Sequence, residues 1–293
     1  MLNKNIETFI GCNKSYDKAN IVLFGAPFDS TTSYRPGTRF ASRVMRAESY
    51  AIETYSPHQD KDLEDIAVFD AGDLELCIGD TKAALSQIKT FAANILNDKK
   101  LPAMIGGEHL VTLPVIEALH NKYPNLHVIH FDAHADLRDN YLGAKLSHAT
   151  VMRRVWDVLG DNKIHQFGIR SGDRSEFIWG KGRVNTQKFT FCGLEETINN
   201  LRDVPVYFSL DLDVLDPSVF PGTGTPEAGG VSFNELLNAI NLLQSANIVG
   251  FDMVELSPSY DPSGVSTLVA CKLLRELLLT LSKGICDKFK GGF

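Results

Sequence analysis

The sequence predicts a single-domain α/β/α sandwich built on an eight-stranded, mostly parallel sheet. Short apolar, β-branched runs alternate with helix-period stretches from residue 21 to residue 283. Several of those runs are apolar at consecutive positions, the pattern of strands covered on both faces. No Pro/Gly/Ser-rich linker, composition break or fixed-period repeat divides the chain, so residues 1–293 are expected to form one domain, with 1–20 as an N-terminal extension and 284–293 as a polar tail.

Taken in order, strands are predicted at 21–28, 67–70, 102–105, 126–131, 164–169, 188–191, 206–210 and 248–254. Helices are predicted at 36–55, 80–98, 109–122, 150–159, 194–201, 232–246 and 266–283. Asp80 and Ser232 suit N-caps, and Gly284 suits a C-terminal stop. In the last helix Leu273, Leu274, Leu277, Leu278 and Leu281 share one broad face, as in a helix lying on a sheet.

With 293 residues the chain can bury a large core without staples. Its net charge of −7 argues against a nucleic-acid surface, which needs a concentrated basic patch. The scattered cysteines Cys12, Cys77, Cys192, Cys271 and Cys286 form no CxxC pair and read as reduced thiols of a cytoplasmic protein. Residues 1–18 lack the apolar core of a signal peptide. The most hydrophobic helix, around 267–281, carries Lys272, Arg275 and Glu276 and is too short and too charged to span a bilayer. No membrane partner is expected.

Two acidic segments carry the chemistry. Asp132-Ala133-His134-Ala135-Asp136 follows an apolar run, and so does Asp211-Leu212-Asp213. In extended backbone, residues two apart project to one side, which would aim Asp132, His134 and Asp136 together, and Asp211 with Asp213. Such a cluster is expensive at strand ends unless a cation neutralises it. Gly106-Gly107-Glu108-His109 also closes a strand and opens a helix, adding His109. Ligands of open α/β sheets bind beyond the carboxyl ends of the strands, where all three segments fall. Carboxylate and imidazole without thiolate favour manganese or another borderline-hard divalent ion. Two such ions balance the four aspartates, lower the pKa of bound water towards ~7 and favour hydrolysis at an electrophilic carbon or phosphorus.

At these residues the chain resembles the ureohydrolases, the arginase and agmatinase family of binuclear manganese enzymes, and within it the agmatinase branch. The resemblance rests on Gly106-Gly107-Glu108-His109, on 131–138, on 209–217 running into 221–230, and near the N-terminus on 25–29 and 35–40. It implies an arginase-like fold with two Mn2+ per chain. One ion would be held by His109, Asp132, Asp136 and Asp211, and the other by Asp132, His134, Asp211 and Asp213. It further implies that Glu255 grips a cationic guanidino substrate, that His148 shuttles a proton, and that Asp136 takes a catalytic place beside them. The implied reaction converts agmatine to putrescine and urea, and the implied assembly is a homo-oligomer, trimer or hexamer.

Arg138 stands where arginases carry a residue that helps read the amino-acid carboxylate, and 139–148 departs from the arginase loop; both favour a decarboxylated substrate. Glu108 replaces the more usual aspartate, and Ala149 the commoner glycine. Guanidinobutyrase, arginase and formiminoglutamase share the implied metal shell. A non-catalytic nucleotide-binding module is the other alternative, with Gly106-Gly107 as a phosphate turn, but the chain lacks GxGxxG and GxxxxGK[ST] fingerprints.

Overall fold

The computed structural model describes residues 7–289. Among them, eight strands form one sheet: β1 (Ile21–Gly25), β2 (Val68–Asp73), β3 (Leu101–Ile105), β4 (His127–Phe131), β5 (Ile164–Ile169), β6 (Asn185–Lys188), β7 (Val206–Asp211) and β8 (Ile248–Val254). Their spatial order is β2-β1-β3-β8-β7-β4-β5-β6, and every neighbouring pair is parallel. The order has one consequence for the site. β3, β8, β7 and β4 are consecutive in the middle of the sheet, so the segments that follow them emerge side by side at one edge.

The helices are α1 (Ala41–Glu48), α2 (Thr81–Asn97), α3 (Thr112–Lys122), α4 (Val151–Leu159), α5 (Arg174–Gly180), α6 (Leu194–Asn200), α7 (Phe233–Leu242) and α8 (Val265–Phe289). Strand alternation divides the core into two layers. Phe208, Leu210, Phe251 and Met253 pack towards α1, α6, α7 and α8, through residues such as Met45, Ile198, Leu236 and Leu274. Tyr207 and Val254 face the opposite layer, where α2, α3 and α4 contribute Ile88, Ile116 and Val155. Asp80 caps α2 by accepting from the Ala83 amide at 3.0 Å, and Ser232 with Glu235 forms a capping box on α7.

The structure departs from the sequence prediction in several places. The helix expected at 36–55 contracts to α1, because Gly37 adopts φ 139° and its amide is held by Asp29, while Tyr55–Ser56 pairs antiparallel with Lys61–Asp62. The strand expected at 188–191 lies at Asn185–Lys188. This edge strand is polar and half-solvated, and the chain turns at Phe189 with φ 67°, so apolar alternation pointed to the wrong residues. Helix α5 escaped notice although Asp173 and Glu176 form a capping box at its start. Helix α8 continues through Gly284 to Phe289, where a lone interior glycine costs only about 1 kcal/mol. Ahead of β1, in the expected N-terminal extension, Phe9 and Cys12 are fully buried in the core. Residues 1–6 of that extension and 290–293 of the expected tail lie outside the described residues. None of the described helices is long and apolar enough to cross a membrane.

Gly107 sits where β3 feeds the site. The Glu108 amide donates to the Phe28 carbonyl at 2.7 Å, and the Glu255 amide donates to the Gly107 carbonyl at 3.0 Å. A Cβ at Gly107 would collide with the Phe28 backbone, which cannot move aside as a flexible side chain could. Gly107→Ala is therefore expected to destabilise the protein by several kcal/mol in chemical denaturation and to weaken divalent-ion binding; a variant with wild-type stability and ion content would contradict this placement.

Candidate metal centre

The acidic segments reach the site by tight turns rather than by the extended backbone expected. Asp132 follows β4, its Oδ1 accepts from the His134 amide at 2.6 Å, and the loop then places Asp136 in the left-handed region at φ 54°. Asp211 ends β7, and its Oδ1 accepts from the Asp213 amide at 2.8 Å, opening a short 3-10 turn, Leu212–Val214. Each aspartate uses one carboxylate oxygen to fold its own loop, the Asx-turn habit of this residue. Glu255, just beyond β8, also has positive φ, 67°. Left-handed geometry costs a non-glycine residue about 1–2 kcal/mol, and its presence at two site residues marks backbone strain maintained by the surrounding fold.

The donors converge. His109 Nδ1 lies 3.1 Å from Asp132 Oδ2, 3.2 Å from Asp136 Oδ2 and 3.2 Å from Asp211 Oδ2. His134 Nδ1 lies 2.9 Å from Asp213 Oδ2 and 3.6 Å from Asp132 Oδ1, so the two oxygens of Asp132 face different histidines. All four aspartates and His109 are buried, and His134 is partly exposed.

The histidine tautomer tests whether a cation fits. Ser209 Oγ donates to Asp252 Oδ1 at 2.7 Å, so it must accept from Nε2–H of His109, 2.9 Å away. That leaves Nδ1 of the neutral imidazole unprotonated, buried and without a hydrogen-bond partner. Its lone pair points at three carboxylate oxygens, an arrangement repulsive unless a positive charge lies between them. Adjacent donors of an octahedral ion with bonds of about 2.1 Å stand about 3 Å apart, the spacing found here. The donors around His109 Nδ1 fit a divalent ion, and Asp132, His134 and Asp213 form a group that could hold another.

Without cations the same crowding displaces the titrations. Burial pushes Asp136 up to about 7, helped by the nearby Asp132 charge. Burial likewise raises Asp211 well above the usual carboxylate range, with Asp213 and Asp132 adding repulsion. Burial alone would lower His109 and His134, but their carboxylate neighbours hold both well above the ordinary imidazole value.

Sequence reading missed the layer behind these donors. Fully buried Asp252 accepts from Thr112 Oγ1 at 2.7 Å, Tyr207 Oη at 2.6 Å and Ser209, and so orients His109. His130 lies 2.8 Å from Asp132 Oδ2 through Nε2, while its Nδ1 faces the Gln166 amide nitrogen at 3.1 Å. The amide fixes His130 as an Nε2–H donor to the carboxylate. Although His130 lies near His109 and Asp132, its ring nitrogens are thus committed to supporting Asp132. Two signals were available: His130 shares a strand face with Asp132, and Asp252 is a lone acid within an apolar strand.

A cavity of about 390 Å³ opens onto the cluster, lined by His109, His134, Asp136, Asp211, His148 and Glu255 together with Arg138 and Tyr141. Glu255 is 5% exposed, and its Oε1 accepts from the His109 amide at 2.8 Å. Burial, then repulsion from Glu108, raises its carboxyl well above the usual range, a cost that a cation beside the ionised group would offset. His148 is pushed down to about 4 by burial, against a hydrogen bond from Nδ1–H to the Thr31 carbonyl at 2.9 Å. The eight residues given metal-binding or catalytic roles from sequence all lie in the donor cluster or on the wall of this cavity.

Stability should register the cluster's charge. The carboxyl of Asp136 and both imidazoles have folded pKa values raised above their unfolded ones, so their stabilisation is present at low pH and lost as pH rises: from about 4 to 7 for Asp136, and above about 6.5 for the histidines. A bound divalent ion removes that loss. The increase in Tm on adding manganese is expected to grow between about pH 5 and pH 8, and thermal melts giving a flat or shrinking increment would contradict the assignment.

Residues 19–280 match the model of the arginase family. The chain is 44% identical over 277 residues to an agmatinase of Bacillus cereus, covering 93% of this chain and 96% of the relative. Among solved structures, a Clostridium difficile chain superposes with a TM-score of 0.91 at 52% identity, covering 92% of this chain and all of that one. The agmatine ureohydrolase of Thermoplasma volcanium gives a TM-score of 0.88 at 32% identity, covering 97% of each chain. A family match over most of the chain, a sheet of the same architecture and a histidine–aspartate cluster at its centre lead to one conclusion: this chain belongs to the arginase family of metal-dependent hydrolases.

Proposed function

We propose that the protein is an agmatinase-type ureohydrolase, hydrolysing the guanidinium group of agmatine to urea and putrescine with two manganese ions. The observation that carries this reading is the buried, unpartnered Nδ1 of His109 facing three carboxylate oxygens at about 3 Å, at the base of a cavity walled by Glu255 and His148. His109, Asp132, Asp136 and Asp211 would hold one ion, and Asp132, His134, Asp211 and Asp213 the other. When bound, the pair supplies Lewis acidity and a water whose pKa falls towards ~7.

The chain's own groups do the rest. Glu255 orients the planar guanidinium by its negative charge and excludes a misaligned approach. Water oxygen bonds to the guanidinium carbon, and the bond from that carbon to the alkyl nitrogen breaks with its electron pair passing to nitrogen. The departing amine needs a proton. His148 is neutral at physiological pH, so it first accepts a proton at Nε2 from the attacking water and then delivers it to the departing nitrogen, while the water's second proton leaves the oxygen as the urea carbonyl forms and completes the protonated amine. Asp136, on the cavity wall within the donor cluster, would keep the water oriented. The free thiols of Cys12, Cys77, Cys192 and Cys271 support a reducing, cytoplasmic setting.

One feature favours a second substrate. Arg138 lines the cavity, and a guanidinium there suits a substrate with an anionic tail, as in guanidinobutyrate. Its charge is already engaged, with Nε 3.5 Å from Glu176 and the guanidinium over the Tyr141 ring at 4.9 Å. That pairing supports agmatine as the better substrate.

Urea release should rank agmatine above guanidinobutyrate and arginine in manganese, and faster turnover of arginine would overturn the substrate assignment. Asp213→Ala should lose at least about 10²-fold in kcat, since even outer partners of metal ligands cost 10–100-fold. His148→Asn should lose about 10²–10⁴-fold while still binding metal. Undiminished activity in Asp213→Ala would mean that the chemistry lies elsewhere.

A further inference from the structure

Glu108 is fully buried, yet no ion pair neutralises it among the described residues, and its side chain makes no hydrogen bond to the donor cluster beside it. Both oxygens are spent on one short loop. They accept from the Thr31 amide at 3.1 and 3.0 Å, Oε1 accepts from Thr31 Oγ1 at 2.5 Å, and Oε2 accepts from Thr32 Oγ1 at 2.9 Å. Thr31 then turns its remaining capacity to His148. Its Oγ1 accepts from the His148 amide at 3.1 Å, and its carbonyl accepts from His148 Nδ1–H at 2.9 Å. The next residue but one, Ser33, places Oγ 3.1 Å from Nε2.

We propose that Thr31, braced by Glu108, is a positioning residue that fixes both the tautomer and the place of His148 relative to the metal centre. The proposal rests on the reading of His148 as the proton carrier and deepens it. Committing Nδ1–H to the Thr31 carbonyl leaves Nε2 as the basic nitrogen, and Ser33, the hydroxyl facing it, can donate to it. Glu108 precedes His109 in the chain, so the turn that presents a metal ligand also sets, through one threonine, the distance to the imidazole. This accounts for a buried carboxylate that would otherwise be a pure cost. Threonine suits the role because its hydroxyl donates to Glu108 while accepting from the His148 backbone.

The test is a double-mutant cycle on the manganese-loaded enzyme, with Thr31→Val, His148→Asn and the two combined. Thr31→Val is expected to lower kcat about tenfold or more, with KM changed less than about twofold, since small misplacements of a reacting group act on the chemical step. Manganese content should stay at the wild-type level, and Thr31→Ser should restore the rate. In the His148→Asn background the same change should cost less than about twofold, because the group it positions is gone. Nitrogen-15 imidazole shifts of the metal-free protein provide a readout independent of activity: the Nδ1–H form of His148 in the wild type and a mixture of tautomers in Thr31→Val, which keeps the carbonyl but loses the hydroxyl contacts to Glu108 and the His148 amide that aim it. Should Thr31→Val fail to fold, Thr31→Ala enters the same cycle.

Equal losses in both backgrounds, or an unchanged tautomer, would mean that Thr31 merely tethers the loop, and the proposal would fall. Full activity of His148→Asn alone would instead remove the proton-carrier reading on which it rests. The two failures are thereby separable.

Discussion

Buried negative charge is the constraint around which this molecule is organised. Asp132, Asp136, Asp211 and Asp213 crowd the middle of one sheet edge, with Glu255, Glu108 and Asp252 close behind, all with little or no solvent exposure. The desolvation of so many carboxylates cannot be offset by water. Two devices offset it instead. Hydroxyl and amide donors saturate the acids furthest from the cavity, as Thr112, Tyr207 and Ser209 do for Asp252 and as Thr31 and Thr32 do for Glu108. The acids nearest the cavity keep oxygens directed at imidazole nitrogen, a geometry that needs positive charge between them, a proton in the metal-free protein or a cation when one is bound.

Topology turns that charge problem into a site. The four central strands β3, β8, β7 and β4 are far apart in sequence but adjacent in the sheet, so the segments after them deliver His109, Glu255, Asp211 with Asp213, and Asp132 to one place. The strands beneath are apolar and packed on both faces, giving a rigid platform. Two of the residues held in left-handed backbone serve the site directly: Asp136 and Glu255, both on the cavity wall, are kept there by the neighbouring contacts. Proximity to charge then divides the roles of chemically similar groups. His109 is oriented to give up a lone pair, His130 to donate a proton to a carboxylate, and His148 to remain neutral at the rim.

Much of the fold was legible in the sequence because its signals are local. Apolar strands such as β4 and β7 read clearly, as did the caps at Asp80 and Ser232, whose hydrogen bonds span three residues. Elements stabilised from a distance read poorly. Strand β6 is a polar edge that owes its conformation to pairing with β5, and the 36–55 region is broken by Gly37 and by a ribbon that forms only when Tyr55–Ser56 meets Lys61–Asp62. The acidic segments were identified by composition, but their conformation was misread as extended, since turns closed by a carboxylate on its own backbone leave no periodic trace.

By itself, then, the sequence determined which residue types were available and roughly which strand ends carry them: aspartates and histidines after apolar runs, with no thiolate among them, and the motif strings of the arginase family. What only the tertiary structure decided is the relation between residues remote in the chain. The unpartnered nitrogen of His109 depends on Ser209 and Asp252, the orientation of Asp132 on His130 and Gln166, and the tautomer of His148 on Thr31. A hydrogen bond constrains direction and proton location at once, and its partner here lies tens of residues or more away for all but the His130–Asp132 pair, so no local pattern in the chain could have fixed it.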